Sequence, residues 1–256
     1  MRYFIWFSYD GSRYHGWQVQ PNGITIQSCL ESALQTLLRQ QIQVTGAGRT
    51  DAGVHARKMA AHFDTEQAFD TSLMVRKLNG LLPFDIAVDS IVAVPSEMHA
   101  RFSATRRTYR YYIHTSKNPF TCRYSLEIHY QLDFERMNEA GRLLTHYHDF
   151  GAFCKSGSDV KTTLCQVTHA QWHQTSETEW YFEISANRFL RNMVRAVVGT
   201  LIEVGRGRMS LDEFRLVVEG RKRTRAGESM PAKALFLEDV SYDNHADAGD
   251  SGHPSL

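Results

Sequence analysis

Between Gly46 and Ala56 the chain reads Gly46-Ala47-Gly48-Arg49-Thr50-Asp51-Ala52-Gly53-Val54-His55-Ala56, placing one carboxylate, Asp51, next but one to an arginine among three glycines. Glycine at that density marks a backbone that turns sharply or admits a ligand at close range. An Asp on such a turn, between two apolar segments, reads as a presented reactive group; the alternative is a polar turn that serves only its own backbone. Two phosphate motifs are excluded by inspection. Gly48 and Gly53 have the spacing of a P-loop's outer glycines, but Val54-His55 follows where Lys-Ser/Thr is required. A dinucleotide fingerprint begun at Gly46 and Gly48 would need its third glycine at Asp51, and it would open a helix. Here Arg57–Phe63 reads as a strand, so the loop joins two strands.

Arg101, Arg106, Arg107 and Arg110 fall within one span interleaved with Tyr109, Tyr111 and Tyr112, and Arg221-Lys222-Arg223 with Arg225 form a second basic run. Either run alone is an ordinary solvated face, whereas the two together favour an anionic polymer. Twelve histidines raise the question of a metal. Cys165, His169 and His173 recur every fourth residue on an expected strand, which spreads them at about 13 Å per step, too far for one ion. His146, His148 and Asp149 cluster near an expected loop without a reason to converge. No metal is expected.

The 256 residues suit one large domain or two small ones, and the formal net charge of +1 does not announce a nucleic-acid binder. Asp243, Asp247 and Asp250 offset the basic runs in that total. No apolar run is long enough to span a membrane and no signal peptide is visible. Cys29, Cys122, Cys154 and Cys165 are scattered, as expected of reduced thiols in a cytoplasmic protein.

The elements that must position these groups follow one order twice. Arg2–Tyr9 is expected as a strand, then a helix capped by Thr25 with Leu30, Ala33, Leu34, Leu37 and Leu38 on one face. Strands follow near Gln43–Thr45 and Arg57–Phe63, then a helix from Asp70-Thr71 with Leu73, Met74 and Leu78 inward. A strand through Ile86, Val88, Val92 and Val94 completes the ferredoxin-like βαββαβ motif. The second half repeats it: a strand over Thr108–Thr115, and a helix over Asp133–Thr145 with Phe134, Met137, Leu143 and Leu144 inward. Strands over Thr162–His173 and Glu179–Ser185 follow, then helices over Arg188–Val204 and Ser210–Glu219, and a last strand over Leu235–Tyr242. Ser210 and Glu213 fit a capping box, and Gly220 suits the helix end. The expected fold class is therefore α+β, two ferredoxin-like halves, and the expected architecture packs them side by side with a cleft between them. Residues 1–104 form the half carrying the Asp51 loop, 105–243 the second half, and 244–256 a polar, disordered tail. The stretch Thr145–Asp159 lacks periodicity and is expected to run over the surface.

The Gly46–Ala56 stretch resembles the signature of the tRNA pseudouridine synthase A family. Further blocks resemble the same family in order: Tyr9-Asp10-Gly11; Gly16-Trp17-Gln18 with Gln20; His99-Ala100-Arg101-Phe102-Ser103-Ala104-Thr105 with Tyr109-Arg110-Tyr111; His148-Asp149-Phe150 with Phe153; and Phe189, Met193-Val194-Arg195 and Val198-Gly199. The resemblance implies the pseudouridine synthase fold and an isomerase that converts uridine to pseudouridine at positions 38, 39 and 40 of the tRNA anticodon stem-loop. It implies Asp51 as the catalytic carboxylate, Arg195 against it, and Tyr109 at the base. Arg49, to fill the vacated stack or hold the flipped nucleotide, and Arg101, to grip a neighbouring phosphate, complete the expected substrate-binding set; the alternative for both is a structural ion pair. It further implies tRNA as partner and a homodimer, with each tRNA laid across both subunits. An isomerisation needs no cofactor and no energy source. On an expected helix from Arg188, residues Arg188 and Arg191 are solvent-facing neighbours of Arg195. One departure is Ala234, where the family commonly has glycine before the last strand. The rival readings are a tRNA-binding protein without catalysis, a related synthase with other target positions, and a small-molecule hydrolase using Asp51.

Overall fold

The structure, a computed structural model, describes residues 1–157 and 160–243; the tail expected over 244–256 lies outside the described residues. The chain divides into a first unit of Met1–Arg106 with the described residues from Glu238 to Asp243, and a second of Arg107–Leu237.

The first unit runs β1 (Arg2–Tyr9), α1 (Ile26–Leu38), β2 (Thr45–Gly46), β3 (His55–Asp64), α2 (Thr71–Leu81) and β4 (Ile86–Val94). β1 lies between β4 and β3 and is antiparallel to both, with Phe4 opposite His62 on one side and Val92 on the other. β2 pairs with β3, so strand order 4-1-3-2 of the split motif is complete. α1 starts where a side chain can cap it: Thr25 accepts from the Ser28 backbone, and Ser28 returns the bond to Thr25. Its Leu30, Ala33, Leu34 and Leu38 are buried. α2 is capped by Asp70 and fastened to β4 by Asn79, which both donates to and accepts from the Val88 backbone. Met74 and Leu78 face inward as expected, but Leu73 is 39% exposed. The first turn of a helix this short shows the core only one stripe.

The second unit holds β5 (Ala104–His114, opening in the first unit), β6 (Leu126–Glu127), α3 (Phe134–Leu143), β7 (Val167–Gln174), β8 (Glu179–Ala186), α4 (Met193–Gly205), α5 (Leu211–Gly220) and the start of β9 (Leu235–Tyr242). Its strand order, β9-β5-β8-β7, repeats the split motif, and both β5–β8 and β7–β8 are antiparallel. On β5, Tyr109, Tyr111 and Ile113 are buried, while Thr108, Arg110 and Tyr112 are half-buried, the period-two signature of a sheet with one core face. Asn138 on α3 grips the Trp172 backbone of β7 as Asn79 grips β4.

Several bounds differ from expectation, and four differences have a visible structural cause. α4 begins at Met193, after Asn192 takes a left-handed φ of 65°, so Arg188 and Arg191 are not on the helix and share no face with Arg195. At the end of α5 the left-handed residue is Arg221, φ 53°, one beyond Gly220. β7 starts at Val167, because Leu164 forms an isolated bridge with Asp149 instead of continuing the ladder. The stretch from Thr145, described as far as Gly157, is no surface connection throughout. It places Phe150, Ala152 and Phe153 at zero exposure, in a short 3-10 turn over Gly151–Phe153. No helix among the described residues is long and apolar enough to cross a membrane.

Candidate active site

In the first unit Asp51 opens the turn that feeds β3. The Val54 N–H donates to the Asp51 carbonyl at 3.1 Å, and Gly53 between them has φ of 78°. That left-handed value is what a type II turn demands at its third residue, so the glycine there is a requirement of the turn. Asp51 is half-buried and Arg49 exposed.

The turn is gripped from behind by the segment Tyr9–Trp17. Gly16 has φ of 86°, and a Cβ there would lie 2.5 Å from the Thr50 carbonyl and 3.1 Å from the Ala52 nitrogen. The Trp17 N–H donates to that same Thr50 carbonyl at 3.1 Å. The Trp17 ring lies against Gly46, where a Cβ would come within 2.7 Å of it. Gly11 lies so close to Val54 that a Cβ would fall 2.0 Å from its carbonyl, and the Gly11 N–H donates to His55 Nδ1 at 3.1 Å. The buried His55 also meets Asp10 Oδ1 at 3.0 Å, and the Tyr9 hydroxyl shares a 2.8 Å hydrogen bond with Thr50 Oγ1. These residues position the loop but are separated from it by tens of positions in sequence. The only sequence signal for them is the Tyr9-Asp10-Gly11 and Gly16-Trp17 blocks themselves.

Arg101 sits on a different segment of the same unit, the tight His99–Ser103 turn. There the Ser103 N–H donates to the His99 carbonyl at 2.9 Å, and the Arg101 N–H donates to His99 Nδ1 at 3.1 Å. Its exposed guanidinium carbon lies 5.8 Å from the Phe102 ring centroid. The turn is anchored by the Ala100 amide, whose N–H donates to His62 Nδ1 at 3.1 Å, and by the Tyr242 hydroxyl, which donates to the Ala100 carbonyl at 2.6 Å. Burial first, then the Arg2 and His99 charges, pushes His62 down to about 4, so Nδ1 is a neutral acceptor.

Tyr109 and Arg195 belong to the second unit. Tyr109 is a buried residue of β5 whose ring meets Phe189 edge-to-face, centroids 5.0 Å apart at 83°. Arg195 lies in the first turn of α4, and its Nε donates to the Met230 carbonyl while the Met230 N–H donates back to the Arg195 carbonyl at 3.2 Å. Next to Arg195, Tyr111 donates its hydroxyl to Pro231 O at 3.0 Å; burial raises the pKa of that phenol far above its usual value, against the pull of the Arg195 charge. The strand of chain at 226–231 can lie this close to α4 only because Gly199 has no side chain. A Cβ there would be 1.8 Å from the Glu228 carbonyl. Ala234 is fully buried just before β9.

The basic runs are partly spent inside the units. Arg107 is buried and donates to the Asn187 carbonyl at 2.6 Å, and Arg110 pairs with Glu183 at 2.8 Å. Arg221 pairs with Asp149 at 3.1 Å, and Arg223 donates to the Gly227 carbonyl and Ser229. Arg101, Arg106, Lys222 and Arg225 remain exposed. The expectation that the β7 histidines stand too far apart to meet is also corrected. The His169 and His173 rings stack with centroids 5.9 Å apart.

The chain matches the family model described as tRNA pseudouridine synthase over residues 5–103 and 142–243. It is 56% identical to the tRNA pseudouridine synthase A of Bacteroides fragilis over 242 residues, covering 94% of this chain and 96% of that protein. It is 54% identical to that of Bacteroides thetaiotaomicron (94% and 90% covered) and 49% identical to that of Porphyromonas gingivalis (94% and 97% covered). With matches of this length on an α+β chain of two split-motif units, the protein belongs to the tRNA pseudouridine synthase family, isomerases that act on tRNA.

Proposed function

We propose that this chain isomerises uridine to pseudouridine at positions 38, 39 and 40 of the tRNA anticodon stem-loop, with Asp51 as the catalytic carboxylate. The observation that carries the reading is the way Gly11, Gly16 and Trp17 clamp the Asp51 turn, holding one carboxylate on a loop fixed from behind. The reaction breaks the bond from ribose C1′ to uracil N1 and forms one from C1′ to C5. The C5 proton leaves, N1 gains one, and atoms and electrons balance without a redox partner. A carboxylate at the ribose serves as nucleophile toward C1′ or as the group that moves the proton.

A stacked uridine must first be extruded, at a cost of about a few kcal/mol. Stacking on an aromatic platform returns about 1–3 kcal/mol, and Tyr109 is assigned that place. Arg195 is assigned the cation that favours the ionised carboxylate. Arg49, exposed next but one to Asp51, fills the vacated stack or holds the flipped nucleotide, and the exposed Arg101 takes a neighbouring phosphate. Recognition by backbone and shape suits a target set of three adjacent positions. The working form is a cytoplasmic homodimer.

The test is pseudouridine mapping on an unmodified tRNA transcript with wild type and Asp51→Asn. Modification at positions 38–40 by wild type alone, with tRNA affinity retained in the variant, is expected. An active Asp51→Asn variant refutes the assignment. Tight binding without modification by wild type turns the reading to a tRNA-binding protein.

A further inference from the structure

The second unit carries a side-chain cluster that the proposed reaction does not use. In the β7–β8 register His169 lies opposite Ser185, Gln171 opposite Glu183 and His173 opposite Tyr181. Residues opposite one another share a face, so Glu183 stands in the row midway between the two histidines and diagonal to each. One ring nitrogen of each histidine and one Glu183 oxygen all lie within 4.8 Å of each other.

The Nε2 atoms of His169 and His173 are both shut away from solvent without a hydrogen-bond partner among the described residues. Buried polar nitrogens normally have one, and here each histidine of the cluster carries an orphan. Glu183 divides its oxygens. Oε2 accepts from Arg110 Nε at 2.8 Å, while Oε1 lies 3.7 Å from His169 Nε2, too long for a hydrogen bond. The His173 ring is held from one side by stacking on Tyr181, centroids 5.0 Å apart at 25°.

We propose that His169, His173 and Glu183 bind one divalent transition-metal ion of the zinc or nickel class on the β7–β8 face. Two imidazoles and a carboxylate are a donor set for borderline metals, with bonds of about 2.0–2.2 Å. Donors on such bonds end about 3.4 Å apart in a tetrahedron, so small side-chain rotations close the site from its present spacing. Arg110 stays on Oε2 and orients the carboxylate, Oε1 faces the metal, and water completes the shell. Bound metal joins β7, at the end of the unit's strand order, to β8.

The test uses full-length protein stripped with a chelator and titrated with Co2+, whose visible bands report nitrogen and oxygen ligation, then with Zn2+ by calorimetry. One ion per chain is expected, with Co2+ bands displaced by Zn2+. Binding should weaken by at least about 10–100-fold in the double variant His169→Ala/His173→Ala. The half-exposed single variant His169→Gln and Glu183→Gln should each weaken it too, and they keep the test decisive if the double variant does not fold. No stoichiometric Co2+ spectrum, or unchanged affinity in the folded variants, overturns the proposal.

Discussion

Replacing Gly16 with alanine tests the idea that the Asp51 turn is held from behind. An L residue in the left-handed region Gly16 occupies, φ 86°, is destabilised by about 1–2 kcal/mol. The new methyl would also sit 2.5 Å from the Thr50 carbonyl and 3.1 Å from the Ala52 nitrogen. Both neighbours are backbone and cannot rotate away, which adds about 1–3 kcal/mol of overpacking. A total near 3 kcal/mol lowers the melting temperature by about 6–12 °C in a chain of this size. The clash is relieved only by moving the backbone on either side of Asp51. Misplacing a reacting group by about 1 Å costs about 100-fold in rate, so kcat should fall by that order. The assay is tritium release from tRNA transcript labelled at uracil C5, since that hydrogen leaves in the reaction, run beside thermal melting and tRNA binding. Gly48→Ala is the internal control: nothing lies within 4 Å of its Cβ and its φ is not positive. It should melt within about 2 °C of wild type. Wild-type turnover in Gly16→Ala, or an equal melting loss in Gly48→Ala, refutes the clamp.

Tyr9→Phe removes the 2.8 Å hydrogen bond to Thr50 Oγ1 and should cost about 1–2 kcal/mol in denaturant unfolding together with a drop in kcat; unchanged kcat would confine Tyr9 to the core. Gly199→Ala drives a Cβ to 1.8 Å from the Glu228 carbonyl, so it should destabilise by about 2–4 kcal/mol and raise hydrogen exchange at Met230, whereas native exchange there would show the 226–231 segment free to move. His62, held near 4 when folded and ordinary when unfolded, binds more protons in the unfolded chain between those values. Its share of stability is therefore complete above about pH 6.5 and is lost as pH falls toward 4, about 3 kcal/mol in all. Urea midpoints at pH 7, 5 and 4 should show that loss in wild type and less of it in His62→Asn; equal slopes would remove His62 as the source.

Sequence by itself determined the elements whose cause is local. Thr25, Asp70 and Ser210 cap helices because a side-chain oxygen within three residues satisfies an otherwise open N–H, and that is legible one segment at a time. The strand expected over Thr108–Thr115 is there as the greater part of β5, but which of its tyrosines face the core was shown only by the fold. The ordered motif blocks fixed the family.

Tertiary structure decided everything that depends on a partner distant in the chain. Nothing near Gly16 in sequence shows that it must be glycine; the reason is a carbonyl at Thr50. Charge runs suggested a basic surface, yet Arg107 and Arg110 are committed to Asn187 and Glu183, partners supplied by β8 and the chain just beyond it. Spacing along β7 placed His169 and His173 apart, but their rings stack, and register with β8 brings Glu183 to both. Helix periodicity ran on to Arg188, whereas the left-handed Asn192 stops α4 at Met193 and leaves Arg195 in its first turn, bonded to Met230. A periodic pattern records which faces a chain can bury. Which residues meet across the fold is set by strand register and close backbone approach, and those exist only once the chain has folded.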